Sequence, residues 1–437
     1  MIPGGRGAEV TGNESRRGRS HGGSRYSAWS LLRHGLNGQR WPAALVETEL
    51  RPAYDCIIVG GGAHGLGLAY YLAREHGLTR TAVLERAYIG GGNSGRNTAI
   101  LRANYLTPEG IRFYSRSLEL YGALSSELNF NILHDPMGHL TLGQDLGSCR
   151  RLRWRAEVNK VLGVDSEFIG PERVRELVPA IDLRGDGLHP VLGALWHPPG
   201  GTLRHDPVVW GFARAAIQLG AEVHQQTEVI GIETQGGRVT GVNTTRGRIR
   251  AGVVVNCTAG SASLVSAQAG VELPIVTVPL QAAVSEPVRP FLDTVLASDS
   301  LHVYFYQTPR GELVFGSSTD PYPSYSTRGS LEFLEHLAAS VLQLIPRLGE
   351  VRILRQWAGI CDMTPDGAPI MGPTPVEGFL VDVGWGTYGF KAAPAAAEAM
   401  ASLVATGTTP DLVRPFALER FLEGRLVNER AASSVGH

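Results

Sequence analysis

The chain has 437 residues, 43% of them hydrophobic and 19% charged, with 40 Lys and Arg against 41 Asp and Glu. That length allows two domains, or one large nucleotide-binding domain with insertions. A formal net charge of −1 excludes a general field for nucleic acid or anionic membranes. Cys56, Cys149, Cys257 and Cys361 show neither CxxC nor zinc spacing and read as small buried hydrophobes. No apolar run approaches the ~18 residues that would suggest a membrane span.

Residues 1–25 are rich in Gly, Ser and Arg without an apolar core. They read as a disordered tail and not a secretory signal. Residues 26–53 form an N-terminal arm, and a cytoplasmic setting follows by default. The most informative segment comes next, "YDCIIVGGGAHGLGLAYYLAREHGLTRTAVLER". Asp55–Val59 predicts a buried parallel strand. Gly60, Gly62 and Gly65 then form GxGxxG, and apolar positions 66, 69, 70 and 73 follow at helical spacing. In that motif the first glycine makes the tight turn, the second admits pyrophosphate against the backbone, and the third lets helix pack on strand. Gly61, Ala63 and His64 complete the loop, His64 as a packing residue. A second strand, Ala82–Leu84, ends at Glu85, placed to accept from a ribose diol.

"YIGGGNSGRNTAILRANY" brings Gly92 and Asn93 directly after that strand, as suits a loop wrapping a long cofactor. Further on, Val229 is taken as another cofactor contact. "GVVVNCTAG" (252–260) is a strand ending at Ala259 and Gly260, and it looks like the strand return of FAD proteins. "EGFLVDVGWGTYGFKAAPAAAEAMASLVATG" reads as strand, then a loop with Gly384, Gly386, Thr387 and Gly389, then a helix from about Ala392. FAD is therefore favoured over NAD.

The fold class is α/β, a discontinuous Rossmann-like FAD-binding domain (54–136, 200–274 and 352–408) with an antiparallel-sheet substrate domain (137–199 and 275–351). In the latter, "PERVRELVP" (171–179) predicts a short helix with Pro at its start. "HVYFYQTPRGELVFGSS" (302–318) predicts paired strands turning at Arg310–Gly311. Residues 409–437 form a C-terminal segment without evident chemistry. In "GGTLRHDPVVWGFARAA", Asp206 suits an N-cap and Pro207 the first helical position, with an apolar stripe at 208, 209, 212, 213, 216 and 217. His205 then sits just outside a helix. By position alone it is a core, a surface or a cofactor-bearing histidine.

"GGGAHGLGLAYYLAREHG", "GRNTAILRANY", "GGTLRHDPVVWGFARAA", "LRQWAGICDMTPDGAPIMG" and "GWGTYGFKA" resemble, in unbroken order, the β-subunit family of heterotetrameric sarcosine oxidases, within the D-amino-acid-oxidase-like flavoproteins. The resemblance runs from about Tyr26 to His437. It implies non-covalent FAD, FMN joined covalently to His205 in its "RHD" context, and α, γ and δ partner subunits. Tetrahydrofolate and NAD would be bound elsewhere in that complex. From related monomeric amine oxidases it implies that Arg102 and Lys391 hold the substrate carboxylate. Ala99 stands where their pattern has a further arginine.

The resemblance also implies a reaction: hydride passes from the N-methyl group of sarcosine to FAD, and electrons then pass to FMN and oxygen, giving H2O2. The carbon leaves as methylene-tetrahydrofolate or formaldehyde. Trp385 and Tyr388 are expected to line the cavity or pack on the flavin. Asp366 is expected to form a turn and touch FAD through the adjoining loop. No general base stands out. Two other readings compete: a stand-alone FAD-dependent secondary-amine or imino-acid dehydrogenase without FMN, and a non-catalytic flavin-binding assembly subunit.

Overall fold

The apolar run of Ala53–Val59 becomes the centre of a parallel sheet, where Ile57 and Ile58 are completely buried. The computed structural model describes residues 28–38, 45 and 48–429, so the tail expected at 1–25 lies outside the described residues. The chain divides into two units, 1–46 and 47–437. In the first, Ala28–Leu36 is a helix with Trp29, Leu31, Leu32 and Leu36 exposed. Everything below concerns the second unit.

Its first sheet runs in the order Ile370–Pro373, Phe379–Val383, Gly247–Asn256, Ala53–Val59, Thr81–Leu84, Glu222–His224. The four strands from Gly247–Asn256 to Glu222–His224 are parallel neighbours, and Phe379–Val383 joins them in parallel. Val229–Gln235 and Arg238–Thr244 extend Gly247–Asn256 as an antiparallel meander. Strands covered on both faces need near-continuous apolar sequence, which "TAVL" and "FLVDV" supply with every residue buried. Helix Ala63–His76 packs on Gly389–Thr406 at close range: a Cβ on Gly67 would lie 2.9 Å from the Ala397 Cβ. The alanine-rich sequence of the second helix makes that approach possible.

The second sheet has the order Ile353–Met363, Val276–Pro287, Glu312–Thr319, Val303–Gln307, Val295–Ser298, His139–Gly143, Gly193–His197, Glu167–Ile169. All neighbours are antiparallel except Val295–Ser298 with His139–Gly143. Helix Leu331–Leu344 contributes Phe333, Leu337, Val341 and Leu344 to its core. A two-stranded ribbon, Ile100–Leu101 with Gly201–Thr202, stands apart from both sheets.

Three local expectations change. Ile353–Met363, assigned above to the FAD-binding part, pairs along its length with Val276–Pro287 in the second sheet; an extended run does not encode its partner. Helix His205–Gln218 begins at His205 itself, with Arg204 as a cap that makes no side-chain bond. Pro207 is tolerated at its third position because the first four N–H groups of a helix have no internal partner. Helix Gly389–Thr406 starts before Ala392 and carries Pro394 in its interior. That proline cannot bond the carbonyl of Phe390; the Tyr121 hydroxyl donates to it instead, at 2.6 Å, and Ser117 donates to the Lys391 carbonyl at 2.6 Å.

The C-terminal segment has a structural task. Arg420, buried, gives Nε and Nη2 to the two carboxylate oxygens of Asp366 at 2.8 and 2.9 Å. Asp366 also accepts from the Val427 N–H, so its carboxylate is a latch for the C-terminal segment. Removing one partner of a buried pair strands the other charge. Asp366→Asn or Arg420→Met is expected to destabilise the protein by about 3–5 kcal/mol, read as a lowered denaturant midpoint with unchanged slope.

Candidate active site

The GxGxxG turn is built on backbone no side chain would permit. Gly60 has φ +115, and a Cβ there would lie 2.6 Å from the Cys257 carbonyl oxygen. A Cβ on Gly65 would lie 2.1 Å from the Gly60 oxygen. Gly62 caps helix Ala63–His76 without a side-chain bond, leaving bare backbone at a helix N-terminus, the arrangement that binds phosphate. Glu85 accepts from the Gly61 N–H at 2.8 Å and the Ala87 N–H at 2.9 Å, which sets its carboxylate at the mouth of the turn. Ser94 Oγ accepts from the Ala63 N–H at 3.0 Å, a contact the sequence reading missed. These residues fit an adenine dinucleotide with its diphosphate on the helix.

The remaining expected contacts divide. Gly92 has open space where a Cβ would stand. The Asn93 amide bonds both backbone groups of Ile360, at 2.5 and 2.8 Å, and braces the wrapping loop to Ile353–Met363. Ala259 has φ 47, and Gly260 packs on Ile360 too closely for any side chain. Val229 is buried at the head of its strand. Gly384 and Gly386 have φ of +73 and +54. Their N–H groups go to Asp362, to its Oδ2 at 2.6 Å and its backbone oxygen at 3.2 Å.

His64 ties the two halves of this site together. Its Nδ1 is 2.9 Å from Asp382 Oδ2 and its Nε2 is 2.8 Å from the Gly389 oxygen. Trp385 gives its indole N–H to the same Asp382 at 2.7 Å, and its ring lies 5.0 Å from His64 between centroids. A carbonyl and a carboxylate are both acceptors, so the ring between them is held as a doubly protonated imidazolium. Burial lowers its pKa, but Asp382, the Gly389 carbonyl and Asp362 together raise it. Asp362 is itself pushed up to about 6, chiefly by burial.

Arg102 and Lys391 line one cavity, with Thr387 and Tyr388 beside them. Arg102 follows the ribbon strand Ile100–Leu101, bonds Asn104 Oδ1 at 3.1 Å and lies over the Tyr105 ring at 4.6 Å. Lys391, the third residue of helix Gly389–Thr406, has its Nζ 5.0 Å from the centre of the Tyr388 ring. Three further residues of this cavity were missed: Arg155, His139 and Asp299. Arg155 is buried and donates through Nε to the Asn104 carbonyl at 2.7 Å; burial and then Arg102 lower its pKa to about 10. His139 is kept neutral by burial, followed by Arg102, His197 and Lys391. His197 accepts from the Ala103 N–H at 3.1 Å, and its other nitrogen meets the Asp165 carbonyl at 2.6 Å. It supports the backbone beside Arg102.

His205 is not among the cavity-lining residues. Its side chain is 22% exposed, with Nε2 3.2 Å from Asp206 Oδ1. The imidazole is therefore partly exposed, beside a carboxylate. Among the described residues no cluster suited to a metal ion occurs and no helix is long and apolar enough to cross a membrane.

Because the His64 pKa is raised in the folded protein, its contribution is fully present below the ordinary histidine value. It is lost as pH rises through the raised value. His64→Gln should therefore lower the thermal midpoint most at acidic pH, with the gap to the parent closing toward alkaline pH. A gap independent of pH would remove the charge from His64.

Residues 55–403 match the family described as "DAO: FAD dependent oxidoreductase". The sarcosine oxidase subunit beta of Rhodobacter capsulatus is 43% identical over 414 residues, 94% of this chain and all of the relative. That of an Arthrobacter species is 44% identical over 389 residues, 89% and 96% respectively. Among solved structures, the L-proline dehydrogenase of P. horikoshii superposes with a TM-score of 0.80 at 30% identity, covering 86% of this chain and 100% of that one. With the glycine turn, the acid after the second strand and these matches in agreement, the chain belongs to the DAO family of FAD dependent oxidoreductases.

Proposed function

We propose that this chain is the β subunit of a sarcosine oxidase, oxidising the N-methyl carbon of sarcosine and releasing glycine. The observation that carries the reading is the meeting of Arg102 and Lys391 at one cavity, since a docked amino-acid carboxylate needs positive charge beside it. Relatives of the same name match essentially end to end. FAD, when bound at Gly60–Gly65, Glu85 and the Gly384–Gly389 loop, supplies the hydride acceptor. The chain's own residues do the rest. Arg102 and Lys391 orient the substrate by its carboxylate, and the Tyr388 ring closes one wall. The first turn of helix Gly389–Thr406 offers N–H groups and a cation where negative charge develops during reduction.

The finer part of the proposal assigns His205 as the residue that would hold FMN covalently, a group that supplies reoxidation by oxygen. It also assigns α, γ and δ subunits as partners, with tetrahydrofolate and NAD bound on them, and a cytoplasmic setting. The likeness to L-proline dehydrogenase favours a second reading, a stand-alone imino-acid dehydrogenase in which His205 is structural.

Under anaerobic conditions sarcosine should bleach the flavin absorbance, and Arg102→Met should lower kcat/KM at least about 30-fold, as expected for removing one partner of a buried charge pair. Bleaching by proline and not by sarcosine would support the second reading. Denaturing the chain after co-expression with its partners should leave yellow colour on the parent polypeptide and none on His205→Ala. A colourless parent would remove FMN from His205.

A further inference from the structure

Flavin oxidation of an amine by hydride transfer requires the neutral amine, yet an amino acid reaches the site as a zwitterion. The question is where the ammonium proton goes. Asp299 is the one carboxylate among the described residues that line the cavity, and Arg155 feels its charge. His139 is neutral and is faced by Arg102, so a second proton there would be repelled. Lys391 differs from both. It lines the cavity, has the Tyr388 ring 5.0 Å from its nitrogen, and forms no ion pair with a carboxylate among the described residues. Facing it are Arg102 from the ribbon and Arg155 from helix Leu146–Val161, with His139 across the cavity.

We propose that Lys391 rests as a neutral amine and takes the ammonium proton of the substrate as the carboxylate docks. This rests on the carboxylate-clamp reading above. One N–H bond breaks on the substrate nitrogen, one forms on Nζ, and no electrons change hands. The substrate leaves its zwitterionic form without releasing a proton to solvent, and its carboxylate supplies the anion that makes a charged Lys391 favourable. Burial, and after it Arg102 and Arg155, hold the amine well below the usual lysine range, in keeping with this role. Lysine at the start of a helix is likewise unfavourable as a cation until an anion arrives. A lysine that merely neutralised the carboxylate would be charged beforehand.

The experiment is calorimetry of the FAD-loaded protein with methoxyacetate, a carboxylate of sarcosine's shape without an ammonium, in buffers of different ionisation heat at about pH 8. The parent should take up about one proton per molecule bound, because Lys391 must find it in solvent. Lys391→Met should take up none. Lys391→Arg should bind with no uptake, since arginine is already charged. Binding to the parent without uptake overturns the proposal, as does uptake that persists in Lys391→Met, which would move the proton to His139. If sarcosine bleaches the flavin while uptake is absent, the proton role alone fails. If methoxyacetate gives no saturable heat and sarcosine no bleaching, the clamp fails with it.

Discussion

Basic side chains gathered at one cavity are the constraint that the rest of this molecule answers. Among the described residues, Arg102, Arg155 and Lys391 line that cavity with a single acid, Asp299. Charges taken out of water are costly unless something answers them. The protein answers in part with neutral groups. Asn104 lends its carbonyl and its amide oxygen to both guanidiniums, and aromatic faces of Tyr105 and Tyr388 lie beside Arg102 and Lys391. Glu429 stands a step behind, accepting from the Leu106 and Thr107 N–H groups at 3.1 and 2.9 Å. Such a set of basic groups suits a small carboxylate.

The nucleotide half of the protein was readable because its signals are local. A glycine turn, the helix after it and the acid closing the second strand all lie within the segment from Asp55 to Glu85. The second sheet was readable as strands but not as a pairing order, so Ile353–Met363 was placed with the wrong sheet. Pro207 was read as a first helical residue, yet its helix begins at His205; proline marks what a helix cannot bond, and the remedy is tertiary. At Pro394 that remedy is the Tyr121 hydroxyl, from a helix far away in sequence.

The cavity was legible only in part. Arg102 and Lys391 came from resemblance and stand together. Arg155 sits in "RRLRWRAEVNK", where four arginines look alike. It lies on the buried stripe of Cys149, Leu152, Ala156 and Asn159, and that spacing is the signal that would have singled it out. His64 offered no such clue. Its partners, Asp382 and the Gly389 carbonyl, are both more than 300 residues away, so its task as a tie between the glycine turn and the loop before helix Gly389–Thr406 required the fold.

Glu429 has a consequence for how the protein is made. The wall carrying Arg102 is secured by a side chain more than 300 residues further along, and its ribbon partner arrives only at Gly201–Thr202. A ribosome releases the chain in order, so the wall carrying Arg102 cannot be secured until Glu429 has been made, more than 300 residues later. Contacts of such long range form slowly, because the loop between them must be closed before they reward it.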